Sequence, residues 1–377
     1  MIGHKRIPSR EGGVEVVVSE LSTRMVKRGH KVVAYNRKGH HVSGEENDGD
    51  MNLKSYEGVK IINVPTPQSK QLNAVVYSFF ATIRAIFGKY DVVHFHASGP
   101  CAMIGLAKLF GVKTVATIHG LDSQRAKWGG FASAYLRFGE RMAAKKADEV
   151  IVLSENVKRY FYRTYGRRTI YIPNGISKPV IKKANLIEKK YGLKKDEYIL
   201  FLARIVPEKG LHYLIEAFKK TNTDKKLVIV GGSSHSGDYI EEIHKMIESD
   251  ERIIATGFLQ GEMLEELFSN AYLYVLPSDV EGMPISLLEA MSYGNCCLTS
   301  NIAENKNVIG TCGVTFKKSN VKDLRKQLQF LLDNKETVLR FKRKAQRYIL
   351  SRYNWDDIVD QTIELYKKAA RKGKKNK

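Results

Sequence analysis

Residues 279–295 read DVEGMPISLLEAMSYGN, and two acids eight positions apart, Glu281 and Glu289, flank a tight turn and a helix start. Pro284 suits the first helical position, where its missing N–H costs nothing. Gly282 is expected to give the turn backbone angles that other residues resist. The helix starting there directs unpaired N–H groups outward, an arrangement suited to a diphosphate. An ionised carboxylate accepts hydrogen bonds and donates none, so both acids suit hydroxyl donors such as those of a sugar and a ribose. For either glutamate alone, a capping acid or an exposed helical residue is the simpler reading.

This turn follows LYVLPS at 273–278, an apolar run of strand length, and that junction sets the fold class. The same junction recurs along the chain. In the first half KVVAYN, VKIINVP, DVVHFHA, KTVATIHG, DEVIVLS and TIYIPNG read as strands, with helical patterns at 16–28, 73–87 and 130–146. In the second half YILFLAR, KLVIVGG, RIIATG, LYVLPS and CCLTS repeat the scheme. Buried apolar strands alternating with helices imply parallel sheets covered on both faces. The chain is therefore expected to be α/β, with two doubly wound Rossmann-like domains enclosing a cleft at the carboxyl ends of their strands. The charged stretch SKPVIKKANLIEKKYGLKKDE, starting at Ser177, interrupts the rhythm. Domains are expected over 1–178 and 179–352, with a last helix and basic tail over 353–377. Only Met1–Gly3 precede the loop HKRIPSREGG, so the first strand is expected either to be truncated, its start missing, or to be abnormally short, and the missing start is the favoured expectation.

ARIVPEKG at 203–210 places Arg204 and Lys209 five residues apart across a strand-to-helix loop. A planar fork and a point charge there can converge on one pyrophosphate. Two surface cations beside a Pro-Glu turn is the plainer alternative. His119 follows a buried strand and precedes Gly120; a polar group satisfied by backbone is its plainer reading. His94 and His96 in VVHFHAS are expected on opposite faces of their strand, and neither is assigned a role. Gly231 and Gly232 read as turn residues beside the same loop. DGD at 48–50, in a polar stretch, reads as a turn and not as a metal motif.

Of the 377 residues, 43% are hydrophobic, which supports a globular chain of two domains. No apolar run reaches the roughly 20 residues needed to cross a bilayer, and MIGHKRIPSR lacks a secretory apolar core. Cys101, Cys296, Cys297 and Cys312 form no CxxC pair, so a reducing cytoplasm is expected. Residues 1–178 hold 28 Lys and Arg against 14 Asp and Glu, a net of +14, whereas the remainder nets +8, and the tail Lys367–Lys377 carries 7 basic residues. A basic first half suits an anionic partner.

ARIVPEKG followed by EGMPISLLEA resembles the signature of the retaining glycosyltransferases of family 4, which have the GT-B fold. SREGGVEVVVSELSTRMVKRGHKVVAY resembles their Gly-rich first loop and helix, TIHGLD their central His motif, and PNGI at 173–176 their exit from the first domain. The resemblance covers nearly the whole chain. It implies that Gly12 and Gly13 let backbone approach the donor phosphate or acceptor, and that His119 contacts the donor sugar. It implies further that Arg204 and Lys209 neutralise the leaving diphosphate. Glu281 would hold the sugar and Glu289 the ribose diol, with Gly282, Met283 and Pro284 shaping the donor site. Neither a metal nor another cofactor is implied. The expected partners are a nucleotide-sugar donor, a saccharide or polyprenyl-diphosphate-linked acceptor and an anionic membrane surface. No nucleic acid is expected, because no DNA- or RNA-reading motif is present.

For VVYSFFATIRAIFGKY at 75–90 a helix packed on its own sheet is the favoured reading; contact with a bilayer surface through Phe79, Phe80, Ile83, Ile86 and Phe87, with Arg84 and Lys89, is the alternative. The net charge favours membrane contact in either case. The sugar, whether hexose, N-acetylhexosamine or rhamnose, and the nucleotide stay open. So do two other functions: a sugar-nucleotide epimerase of the same fold, and a non-catalytic partner protein that binds anionic surfaces.

Overall fold

A computed structural model describes residues 1–38, 53–67, 73–121, 130–232 and 237–371. DGD at 48–50 and Asp122 of TIHGLD lie outside them. The described chain forms two compact units, Met1–Gly175 with Trp355–Lys377, and Ile176–Asn354.

The first unit contains β1 (Val33–Arg37), β2 (Ser55–Tyr56), β3 (Val59–Val64), β4 (Val93–His96), β5 (Thr114–Ile118), β6 (Glu149–Val152) and β7 (Ile170–Tyr171). β2–β3–β1 and β4–β5–β6–β7 form two ladders, parallel except at β2. The first residues lie between them. The Tyr35 amide donates to the Met1 carbonyl at 3.1 Å, the Ile2 amide to His94 at 2.9 Å, and the His96 amide to Ile2 at 2.8 Å. Ile2 is fully buried, so this short segment occupies the central strand position. Taking it as strand one, and leaving out the two-residue antiparallel β2 at the edge, gives the doubly wound order 3-2-1-4-5-6-7, whose reversal flanks the N-terminal segment.

The helix Gly13–Lys27 follows that segment, and the final helix Trp355–Arg371 packs against it. Arg28 Nε meets Asp360 Oδ1 at 2.7 Å, and Arg24 Nη1 meets Asp356 Oδ1 at 3.3 Å. At Gly175 a Cβ would stand 2.4 Å from the Trp355 ring, so only glycine lets the chain pass there. Ser154 and Gly166 bound the helix Glu155–Tyr165: the serine hydroxyl accepts from the Val157 amide, and the glycine takes φ 65° at the exit.

The second unit contains β8 (Tyr198–Leu202), β9 (Lys226–Val230), β10 (Ile253–Gly257), β11 (Leu273–Leu276), β12 (Cys297–Ser300) and β13 (Gly313–Phe316). Every pairing is parallel, in the order β10-β9-β8-β11-β12-β13. Leu200, Phe201, Val228, Val275 and Leu298 are almost wholly buried, as a sheet covered on both faces requires. The strand order reverses between β8 and β11. Their carboxyl ends therefore open onto the crevice where doubly wound sheets bind ligands. β2 and β13 were not expected from the sequence. One has two residues at a sheet edge, and the other, GVTF, is only half-buried along most of its length.

Candidate active site

ARIVPEKG and DVEGMP leave β8 and β11, the neighbouring strands at that reversal. Arg204 sits just past β8, half-buried, and its guanidinium makes no hydrogen bond or ion pair among the described residues. Pro207–Lys209 form one 3₁₀ turn, after which Gly210 takes φ 68° and starts the helix Leu211–Lys219. A Cβ at Gly210 would lie 2.3 Å from the Pro277 carbonyl oxygen. Both the left-handed backbone and the close approach demand glycine. The two loops are stitched together here. The Asp279 amide donates to the Glu208 carbonyl at 2.9 Å, and the Tyr213 hydroxyl to Asp279 Oδ2 at 3.1 Å. Ser319 Oγ donates to Asp279 Oδ1 at 2.7 Å.

This stitching brings Lys209 Nζ to 2.5 Å from Glu281 Oε1, with the two side chains 15% and 6% exposed. Such a pair holds a cation in place at a sheet switch point. Beneath it, Tyr274 is fully buried, and its hydroxyl bonds Ser286 Oγ at 2.9 Å and the Leu202 carbonyl at 3.2 Å. Burial pushes this phenol well above its usual range, with smaller contributions from Cys297, Glu281 and Glu289. Tyr274 therefore stays protonated, and it anchors the start of the helix Ile285–Ser292 to the end of β8. Glu289, half-buried in that helix, acts on the same phenol as Glu281 does.

Two expectations about this turn are corrected. Pro284 is the residue capping the helix and not its first helical residue: it has φ −73° and ψ 112°, and its carbonyl accepts from the Leu287 and Leu288 amides. Gly282 is buried but does not take positive φ; the left-handed turn belongs to Gly210. Met283 is buried beside it. Gly231 earns its glycine through close approach, since a Cβ would lie 1.9 Å from the Ala203 carbonyl oxygen.

Gly12, Gly13 and His119 belong to the first unit. Gly12 is the extended cap of the helix Gly13–Lys27, and a Cβ there would press on the Glu15 carboxylate at 2.4 Å. His119 follows β5, half-buried, with Nε2 3.1 Å from His96 Nδ1. His94 and His96 share one face of β4, contrary to expectation, with ring centroids 4.0 Å apart. A strand repeats every two residues, so positions 94 and 96 must point the same way.

Asp279, Tyr213, Ser319 and Tyr274 were missed by the sequence reading. Only Asp279 carried a signal, being an acid at the head of the turn; the others are defined by what folds against them.

The description "Glycosyl transferases group 1" matches residues 183–348, and "Glycosyltransferase Family 4" matches residues 11–178. An uncharacterised glycosyltransferase of Methanocaldococcus jannaschii is 25% identical over 96% of this chain and 95% of its own. The UDP-Gal:alpha-D-GlcNAc-diphosphoundecaprenol alpha-1,3-galactosyltransferase of Escherichia coli is 28% identical over 74% of this chain and 75% of its own. Among solved structures, sucrose-phosphate synthase from Thermosynechococcus elongatus superposes with a TM-score of 0.81 at 20% identity, covering 95% of this chain and 93% of its own. Anabaena HepE in complex with UDP and glucose superposes with a TM-score of 0.80 at 16% identity, covering 97% of this chain and 98% of its own. Two Rossmann-like units of this kind define the GT-B class of glycosyltransferases. The chain belongs to glycosyltransferase family 4 and is a glycosyltransferase.

Proposed function

We propose that the enzyme moves a hexosyl, N-acetylhexosaminyl or rhamnosyl group, with retention and without a metal, from a nucleoside-diphosphate sugar to a polyprenyl-diphosphate-linked saccharide in cell-surface polysaccharide synthesis. The observation that carries this is the Lys209–Glu281 pair at the strand-order reversal, with Arg204 on the same loop. As the sugar–phosphate bond breaks, negative charge grows on the departing diphosphate. Arg204, Lys209 and the N–H groups at the start of the helix Ile285–Ser292 supply fixed positive potential for it, an interaction stronger in the transition state than in the ground state. Glu281 orients the ammonium and takes a sugar hydroxyl, Glu289 takes the ribose diol, and His119 contacts the sugar. The departing phosphate oxygen accepts the acceptor's proton, so no covalent enzyme intermediate is needed. The name of the Escherichia coli relative supports a diphosphate-lipid acceptor.

The test is a thermal-shift panel of UDP, GDP, dTDP and their sugars in EDTA, followed by NMR of the product's anomeric carbon. Stabilisation by one nucleotide family and transfer with retained configuration are expected. Dependence on added metal, or an isomerised nucleotide sugar without transfer, would refute the reading.

Peripheral binding to the inner face of the plasma membrane belongs to the same proposal. Among the described residues no helix is long and apolar enough to cross a membrane. The helix Asn73–Ile86 buries Tyr77, Ala81 and Ala85 but exposes Phe79 and Phe80, with Phe87 74% exposed just beyond. It packs against the helix Ile104–Leu109, whose end exposes Leu109 at 82% together with Phe110. The buried face fits a helix packed on its own unit, and the exposed phenylalanines support the membrane reading. Exposed Arg84 and Lys89 add attraction for anionic headgroups.

A further inference from the structure

The first unit holds a line of imidazoles of which the reading above uses His119 alone. The Tyr366 hydroxyl lies 2.6 Å from His94 Nδ1, and Thr117 Oγ1 lies 2.7 Å from His94 Nε2. The His94 ring lies against His96 with centroids 4.0 Å apart and planes tilted by 33°, and His96 Nδ1 meets His119 Nε2 at 3.1 Å. His94 and His96 are buried, and burial holds both well below the usual imidazole range, with neighbouring histidines pushing the same way. Each ring is therefore neutral and carries one N–H. The nitrogens of His96 and His119 point at each other, not at a shared point in space, and among the described residues no group of three His, Cys, Asp or Glu could hold a metal ion.

Proton positions follow from what each nitrogen faces. His96 Nε2 is buried and has no hydrogen-bond partner among the described residues. An N–H stranded there costs more than a bare lone pair, because orphaned buried donors are the rarer and more expensive defect. The His96 proton therefore sits on Nδ1 and is donated to His119 Nε2. Having accepted there, the His119 ring carries its own proton on Nδ1.

We propose that His96 is a positioning residue for the transfer reaction: it fixes the orientation of His119 and the tautomer that carries its proton on Nδ1. This rests on the reading of His119 as a sugar contact. His94 packs against His96 and is held at both nitrogens, by Tyr366 of the final helix and Thr117 of β5.

The experiment starts from the full-length wild-type enzyme with ¹⁵N-labelled histidine. Long-range NMR correlations are expected to show His119 as the Nδ1–H tautomer; an Nε2–H His119 overturns the proposal without any activity measurement. The variant His96→Leu removes the donor and is expected to lower kcat by roughly 10- to 100-fold through a misplaced ring, with a mixed His119 tautomer. The variant His96→Asn places an amide N–H near the lost Nδ1–H and is expected to restore most of kcat. Equal loss in both variants, with unchanged melting temperatures, overturns the positioning role. If His96→Leu fails to fold, the wild-type tautomer and His96→Asn decide the question. Full activity of His119→Ala would instead remove the sugar-contact reading while leaving the tautomer result standing, so the two failures are distinguishable.

Discussion

The Lys209–Glu281 pair permits a test that separates stability from catalysis. At 2.5 Å and an effective dielectric of about 20, the gross attraction is about 7 kcal/mol. Most of this offsets the desolvation of two groups that are 15% and 6% exposed. Removing one partner leaves the other's charge buried, which costs about 3–5 kcal/mol. Lys209→Met and Glu281→Gln are therefore each expected to lower the urea midpoint followed by circular dichroism, while the double variant recovers much of the loss. Catalysis should not follow that recovery. If the ammonium stabilises the departing diphosphate, kcat falls by roughly 10²-fold or more in Lys209→Met, about 2.7 kcal/mol of barrier. It should stay down in the double variant, measured as nucleoside diphosphate release. A kcat that returns together with the urea midpoint would show that Lys209 serves the fold alone, and the transition-state argument would fail.

Gly210→Ala forces a side chain onto φ 68° and against the Pro277 carbonyl; a loss of roughly 1–3 kcal/mol in thermal unfolding is expected, with reduced transfer as Lys209 shifts. Phe79→Ser with Phe80→Ser, on the exposed face of their helix, should reduce flotation with anionic vesicles while leaving the melting temperature nearly unchanged; undiminished flotation rejects that docking surface. Glu266 is 2% exposed and accepts from the Asn185 and Ile187 amides at 2.9 and 3.1 Å. Burial alone would raise its carboxyl, but the amides of Asn185, Ile187 and Leu186 outweigh burial and hold it below the usual 4.5. A carboxyl lowered on folding contributes stability that is present above pH 4.5 and lost as pH falls through its folded value. Wild type should therefore lose urea resistance faster than Glu266→Gln below pH 4.5; parallel curves would contradict this.

The strand-and-helix rhythm was legible because a parallel strand buried on both faces must be apolar along its length, as YILFL and LYVL are. The short edge pieces escaped for the converse reason: Ser55–Tyr56 and Gly313–Phe316 lie at sheet edges, half-covered, and need little apolar pattern. The turn at 281–284 was legible as residue types but not as geometry. Gly282 looked like the left-handed residue, yet the collision that demands glycine occurs at Gly210, through a carbonyl 67 positions away at Pro277.

The sequence by itself determined the class of fold, the two strand-to-helix loops and the kinds of group they carry, because periodicity, turn chemistry and charge are properties of neighbouring residues. Tertiary structure alone decided the partners. Lys209 and Glu281 meet across 72 residues because β8 and β11 are adjacent at the reversal of the sheet. His94 meets Tyr366 across 272 residues because the last helix packs on the first unit. Strand order and helix docking are set by burial summed over a whole unit, and no local stretch of sequence contains that sum.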